Sequence, residues 1–229
     1  MDVRSLFDYL RKFDTPTIAN AVEIALGTRQ TTGFTRQRMI AAFPKLAPII
    51  GFARTAMVRC SQPFDGVARK QKLFGYYEYV AQGDQPTISV VQDVDSLRGL
   101  GAFWGEVNTN VHWGLGCVGA VTDGSMRDLE MMCPQFQCIA AVVAPSHGFV
   151  QVVDFGSQVD ILGMAVSSND IVHADHHGAI VIPKPALEKL PAAIDLMTRR
   201  EKVILDAARS PGFDVAKLRA AYAASEQIN

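Results

Sequence analysis

Val118-Gly-Ala-Val-Thr-Asp-Gly-Ser-Met-Arg-Asp128 is the stretch that decides the fold of this chain. Its apolar first half, Val118 to Val121, has the texture of a buried strand. Asp123-Gly124 then reads as a turn, and Arg127-Asp128 sets a fixed cation beside a carboxylate where a strand hands over to a helix. That is where α/β proteins tend to do chemistry. Upstream, Thr87-Ile-Ser-Val-Val-Gln92 reads as another buried strand, ending in Asp93 and Asp95. A glycine-spaced loop follows, Gly99-Leu-Gly-Ala-Phe-Trp-Gly105, and then a helix from Glu106 to about Leu115. Strand, loop, helix and strand in that order predict a parallel β-α-β unit. Twenty residues separate Glu106 from Arg127, so a helix out and a strand back bring the two ends together.

Working outward, Val3 to Phe13 is an amphipathic helical segment, and Asp14-Thr-Pro-Thr17 supplies a cap and an early proline for a second helix ending near Leu26, with Gly27 as its stop. The tract holding Gly33, Pro44 and Pro48 is loop-like, suited to a cover or a subunit contact. Gly51 to Cys60 reads as a strand, Gly66 to Ala81 as a helix and Gly83-Asp-Gln-Pro86 as a turn. Downstream, Ile139–Val143, Phe149–Val153 and Ile171–His173, the last joined through Asp175-His-His-Gly178 to Ala179–Ile182, argue for a second sheet. From Lys184 the pattern is helical to about Arg209, with a short helix after Pro211-Gly212. With neither linker nor internal repeat, the expected organisation is one α/β domain: helical over about 1–27, an α and β core over about 51–183, and C-terminal helices over about 184–222.

At 229 residues and 48% hydrophobic content the chain can bury a sizeable core, and 22 basic against 23 acidic residues leave it near neutral. Basic residues gather only in short pairs such as Arg69-Lys70 and Arg199-Arg200, which argues against nucleic acid as a partner. No window approaches the roughly eighteen uninterrupted apolar residues of a membrane span, and no secretory leader opens the chain, so the expectation is a cytoplasmic protein. Cys60, Cys117, Cys133 and Cys138 lack paired metal-type spacing and read as small core residues.

Gly114-Leu-Gly-Cys-Val-Gly119 matches the dinucleotide pattern G-x-G-x-x-G, but it follows a helix and enters a strand, the reverse of what that pattern requires. No nucleotide cofactor is expected there. Arg127-Asp128 reads either as a surface ion pair or as a site, in which the carboxylate suits Mg²⁺ or Mn²⁺ and the guanidinium suits a substrate carboxylate or an enolate. The loop Gly101 to Gly105 reads either as a plain connection or as an anion receptor before a helix N-terminus, and Glu106 sits in that helix's first turn. For His173, Asp175, His176 and His177, hairpin-turn chemistry is preferred to a metal cluster, and Asp123 reads as a turn former rather than a ligand.

Gly-Ala-Phe-Trp-Gly-Glu106, Gly116 to Asp128 and His173-Ala-Asp-His-His-Gly-Ala-Ile-Val-Ile-Pro183 together resemble the RraA-like family, clearly over residues 85 to 185. That family includes 4-hydroxy-4-methyl-2-oxoglutarate/4-carboxy-4-hydroxy-2-oxoadipate aldolases and regulators of ribonuclease E activity. The resemblance implies an α/β/β sandwich with a central mixed sheet, assembled as a trimer or a dimer of trimers with active sites between subunits. It implies a metal-dependent class II pyruvate aldolase acting on small 2-oxo acids, with oxaloacetate decarboxylation as a side or main activity. Asp128 would bind the divalent metal, Mg²⁺ or Mn²⁺, directly, and Glu106 would hold it through water. Arg127 would stabilise the pyruvate enolate, the amides of Ala102, Phe103, Trp104 and Gly105 would receive the substrate carboxylate, and Glu201 is the counterpart of an acid supplied by a neighbouring subunit. The contrasting reading is a non-catalytic regulatory binding protein of the same family.

Overall fold

The β-α-β unit is present: β3 (Thr87–Asp93) and β5 (Cys117–Met126) are parallel neighbours, joined through α4 (Glu106–Gly114), with Ile88 opposite Gly119 and Val91 opposite Thr122. This computed structural model describes residues 2–84 and 86–229, so the expected turn Gly83–Pro86 falls partly outside the described residues, at Gln85. The other helices, numbered along the chain, are α1 (Val3–Leu10), α2 (Thr15–Leu26), α3 (Gly66–Ala81), α5 (Lys184–Leu187), α6 (Leu190–Ala208) and α7 (Val215–Glu226). The remaining strands are β1 (Ile40–Ala41), β2 (Ile49–Arg59), β4 (Ala102–Trp104), β6 (Gln137–Val143), β7 (Gln151–Phe155), β8 (Val159–Ile161), β9 (Met164–Val166), β10 (Ile171–Asp175) and β11 (Gly178–Ile182).

Among the described residues one curled mixed sheet runs β1-β6-β5-β3-β2-β10-β11, with β4 added to β5 and β7 to β2. The separate second sheet expected from the downstream strands is not formed; only the β8–β9 hairpin stands apart. The reason is the length of β2, whose eleven residues offer one edge to two partners, β10 along Ile49–Phe52 and β7 along Ala56–Arg59. The β5 edge is shared in the same way, by β3 up to Thr122 and by β4 at Ser125 and Met126, so the stretch expected as loop before α4 contains a short strand.

Alternation along the strands sorts the side chains into layers. Val91, Ala120 and Val58 pack with Tyr76 and Val80 of α3 on one face, whereas Ile88, Val90 and Val121 pack inward with Val159, Ile161, Met164 and Val166 of the β8–β9 hairpin. On the hairpin of β10 and β11, Val172, Ala174 and Ala179 join this inner layer, and Ile171, Ile180 and Ile182 face α1, α2, α5 and α6. Burial on both faces explains why β3 is a continuous apolar run rather than an alternating one.

Local chemistry fixes the helices. Asp14 caps α2 by accepting from the Thr17 amide, Pro16 occupies its first turn, and Gly27 ends it at φ 68. The helix expected from Lys184 to Arg209 is divided at Glu188–Lys189, where Pro191 marks the first turn of a new helix because it lacks an amide hydrogen for a continuous one. α4 is locked from beneath by a buried relay: His112 Nδ1 lies 2.6 Å from the Asn108 carbonyl, which makes it the donor, and Nε2 accepts from the Tyr76 hydroxyl at 2.8 Å. Tyr76 lies 2.5 Å from Ser89 Oγ on β3. Burial pushes His112 down to about 4, so this relay holds a neutral imidazole.

Candidate functional site

The site is built where β5 leaves the sheet. Asp123-Gly124 does not turn the chain; both residues lie in β5, where the pairing with β6 slips between Thr122 and Ser125 and leaves a bulge. The turn expected there is prevented by what Asp123 holds: its Oδ1 accepts from the Asp93 amide at 2.7 Å, and Oδ2 lies 2.8 Å from Arg98 Nη1, an ion pair set off the hydrogen-bonding angle. Burial pushes the Asp123 carboxyl up to about 6.

Arg127 and Asp128 follow the bulge, and no helix begins after them. Asp128 stands at φ 56, the left-handed region, and its carbonyl closes a turn by accepting from the Met131 and Met132 amides at 2.9 and 3.0 Å. A residue in that conformation cannot open a right-handed helix. The conformation aims the carboxylate back over the start of α4. Asp128 Oδ2 is 3.4 Å from the Glu106 amide and 3.4 Å from Arg127 Nε, and a Cβ added to Gly105 would lie 2.6 Å from the same oxygen. Gly105 is therefore the cradle into which the Asp128 carboxylate fits, and any side chain there would expel it.

One cleft of ≈ 270 Å³ is lined by Phe103, Gly105, Glu106, Val107, Asn108, Arg127, Asp128 and Met131. A second, of ≈ 340 Å³, shares Phe103, Asn108 and Arg127 with it and adds Phe64, Arg69, His147 and Gly148. The structure thus brings Glu106, Arg127 and Asp128 together, as their spacing predicts. Among the described residues the terminal guanidinium nitrogens of Arg127 and the outer oxygen of Asp128 have no protein partner, and Arg127 is fixed through its backbone, whose amide donates to the Trp104 carbonyl at 2.9 Å. A partly buried carboxylate and an exposed one with open oxygens suit a hard divalent cation that keeps several waters.

The expected anion receptor at Ala102, Phe103, Trp104 and Gly105 needs one correction. The Ala102 amide is occupied by the Ser146 carbonyl at 2.8 Å. Sequence reasoning missed the amides of Val107 and Asn108, which have no acceptor among the described residues at an α4 N-terminus that carries no side-chain cap. The signal was present in the sequence, since Gly105 has no side chain with which to cap the helix. Glu201 is not brought to the site within one chain; it lines a separate cleft between α2 and α6 with Glu23, Arg29 and Met197.

Two other groups of ligand-type side chains lie within 4.8 Å of one another: Cys60, Asp93 and Asp95, and Asp175, His176 and His177. The first is closed on itself. Asp95 accepts from the Cys60 amide at 2.6 Å, the Ser61 amide at 2.9 Å and Ser61 Oγ at 2.6 Å, and Asp93 accepts from the Asp95 and Gly99 amides at 3.0 and 2.8 Å. Burial, with Asp93 and Asp95 nearby, pushes the Cys60 thiol up to about 12, so it is a packed thiol rather than a thiolate ligand. All four cysteines are free and buried. Among the described residues no helix is long and apolar enough to cross a membrane.

Against known proteins, residues 15–181 match the RraA-like family model, Aldolase/RraA. No match among curated proteins reaches significance. Solved structures share the fold: an uncharacterised protein from Pseudomonas syringae pv. tomato str. DC3000 is 20% identical with a TM-score of 0.72, covering 96% of this chain and 95% of the other. A structure described under novel cellulases from microbes associated with the gut ecosystem is 17% identical at 0.71, covering 88% and 87%. Streptomyces coelicolor RraAS2, an unusual member of the RNase ES inhibitor RraA protein family, is 20% identical at 0.64, covering 92% and 98%.

Proposed function

The chain belongs to the RraA-like family, Aldolase/RraA, whose members are aldolase or decarboxylase enzymes or ribonuclease E inhibitors, and from that premise we propose that it is a divalent-metal-dependent lyase. It cleaves a 4-hydroxy-2-oxo acid, such as 4-hydroxy-4-methyl-2-oxoglutarate, or decarboxylates oxaloacetate, and in both cases releases pyruvate. The observation that carries this reading is the open chemistry in one cleft: a guanidinium fork and a carboxylate oxygen without protein partners among the described residues, beside a helix N-terminus whose Val107 and Asn108 amides are open.

Asp128 would hold the cation directly and Glu106 through water. Bound there, Mg²⁺ or Mn²⁺ would supply positive charge to the oxo acid as the C–C bond breaks. Arg127 presents two N–H groups to the C2 oxygen as that oxygen gains charge, a stabilisation that grows toward the transition state. The Val107 and Asn108 amides, at the positive end of α4, receive the C1 carboxylate. When the C3–C4 bond breaks, its electron pair stays on C3 as the enolate of pyruvate, while C4 departs as carbon dioxide or, as its hydroxyl gives up a proton to water, as a carbonyl compound. Protonation at C3 completes pyruvate. The cleft on the far side of Arg127, with Arg69 and His147 on its wall, has room for the part of the substrate beyond C3. The protein works in the cytoplasm as a trimer or a dimer of trimers, in which Glu201 of a neighbouring copy completes the acid set.

The test is pyruvate formation from oxaloacetate and from 4-hydroxy-4-methyl-2-oxoglutarate, coupled to a dehydrogenase, with Mg²⁺ or Mn²⁺ and with EDTA. Because these metals decarboxylate oxaloacetate slowly by themselves, a protein-free blank with the same metal is subtracted. Metal-dependent turnover above that blank is expected on at least one substrate. None on either would overturn the reading and leave the inhibitor branch of the family.

A further inference from the structure

Turn chemistry accounts for only part of the β10–β11 hairpin tip. Asp175 closes the turn by accepting from the His177 amide at 2.8 Å, and Gly178 takes φ 128, a conformation that favours glycine. Positions 176 and 177 have no such demand, since neither has a positive φ and both are exposed, so the turn would accept many polar residues there. Instead two imidazoles stand side by side, ring centroids 3.9 Å apart.

We propose that Asp175, His176 and His177 form a binding site for a first-row transition ion of the Zn²⁺ and Ni²⁺ class, separate from the Arg127–Asp128 cleft. His177 Nδ1 and Asp175 Oδ1 are 3.1 Å apart. Two ligands each about 2.0–2.2 Å from one ion, at tetrahedral to octahedral angles, are roughly 3.0–3.5 Å apart, so the ion takes the place of the proton between them. One ring nitrogen of each histidine and one Asp175 carboxylate oxygen lie within 4.8 Å of one another, a spread that a side-chain rotation at the exposed tip closes. The carboxylate is pre-oriented, because Asp175 is buried and its other oxygen accepts from the Thr15 amide at 2.8 Å, at the start of α2.

Two imidazoles and one carboxylate favour Zn²⁺, Ni²⁺, Co²⁺ or Cu²⁺ over Mg²⁺ and Mn²⁺. The cleft at the tip, ≈ 270 Å³, is walled by Arg38, Met39, Ile40, Ala41 and Pro44 as well as the two histidines, which leaves room for water in the open coordination positions. Arg38 opposes a dication there, so it limits the affinity.

The experiment is calorimetric titration of Zn²⁺ and Ni²⁺ into untagged Asp128→Ala protein, which keeps this site and lacks the expected ligand of the other. One equivalent of either ion is expected, undisturbed by millimolar Mg²⁺, with a visible-range absorption band when Co²⁺ is used. His176→Ala or His177→Ala should weaken binding at least about tenfold, and Arg38→Ala should tighten it. Because both histidines are exposed, the variants should melt with the parent when metal-free. Absence of binding, or equal affinity in the double histidine variant, would overturn the proposal. Neither result bears on pyruvate formation.

Discussion

Two groups of carboxylates stand at the C-terminal ends of β3 and β5, and they differ in what their oxygens do. Around Asp93 and Asp95 the oxygens are taken up by amides and a hydroxyl of the same chain, and the group is buried. Around Glu106 and Asp128 an oxygen remains open, the residues are partly exposed, and the backbone at Asp128 is held in a conformation that costs energy. The closed group carries the fold, tying the start of the 93–101 segment to β2 and, through Asp123, to β5. The open group is carried by that fold. Of these two acidic groups, only the one with an open, accessible oxygen offers a place for a substrate-side cation.

Substitutions should separate the two. Asp128→Ala is expected to lower metal-dependent pyruvate formation by about a thousandfold or more while leaving the melting temperature near the parent value, because the carboxylate is partly exposed and its contacts to the Glu106 amide and Arg127 are long, 3.4 Å each. Asp95→Ala should do the opposite, costing roughly 2–4 kcal/mol in denaturant unfolding, since the Cys60 and Ser61 amides lose their acceptor in a buried place. If Asp128→Ala unfolds the protein and Asp95→Ala leaves it stable, the division fails.

The pH dependence sharpens the same contrast. His112 and His173 are neutral in the fold, pushed down to about 4 by burial, so their contribution is present above the unfolded value near 6.5 and is lost as pH falls toward 4. Each shift corresponds to about 3 kcal/mol at most. Asp123, pushed up to about 6, acts with the opposite sign: its ionised form costs stability, which is lost as pH rises from about 4 to 6. Two histidines outweigh one carboxyl, so stability measured in urea should fall between pH 6.5 and 4, and more steeply in Asp123→Asn. A shallower fall in that variant would contradict the raised Asp123 value. The smallest effect is expected from Asp128→Gly, a gain of up to about 1 kcal/mol in unfolding free energy from relief of the φ 56 backbone, read by the same denaturation. A loss would show that Asp128 supports the fold.

How far the sequence revealed this follows from which forces are local. Caps, prolines and helix-stopping glycines act within a few residues, so α2, α3 and α4 were legible nearly to their ends. The parallel β3–α4–β5 unit was legible from its order, and with it the meeting of Glu106 and Arg127-Asp128. Asp123-Gly124 was misread because turn propensity is local, whereas the groups that keep the pair in the strand, Asp93 and Arg98, come from another strand and the loop after it. The downstream strands were assigned to a separate sheet because nothing in their own residues shows that β2 offers them an edge. At the site, residue types showed the carboxylates and the guanidinium, but the closed Ala102 amide and the open Val107 and Asn108 amides depend on a carbonyl brought in from Ser146 and on the missing cap.

The central claim, that Arg127 serves the reacting oxo acid while Asp128 serves the cation, is tested most directly by pyruvate formation in Arg127→Ala at saturating Mn²⁺, with Mn²⁺ binding followed on the same sample. The account predicts a fall of about a hundredfold or more in turnover with Mn²⁺ affinity retained. Turnover near the parent rate, with the metal-only blank subtracted, would contradict it.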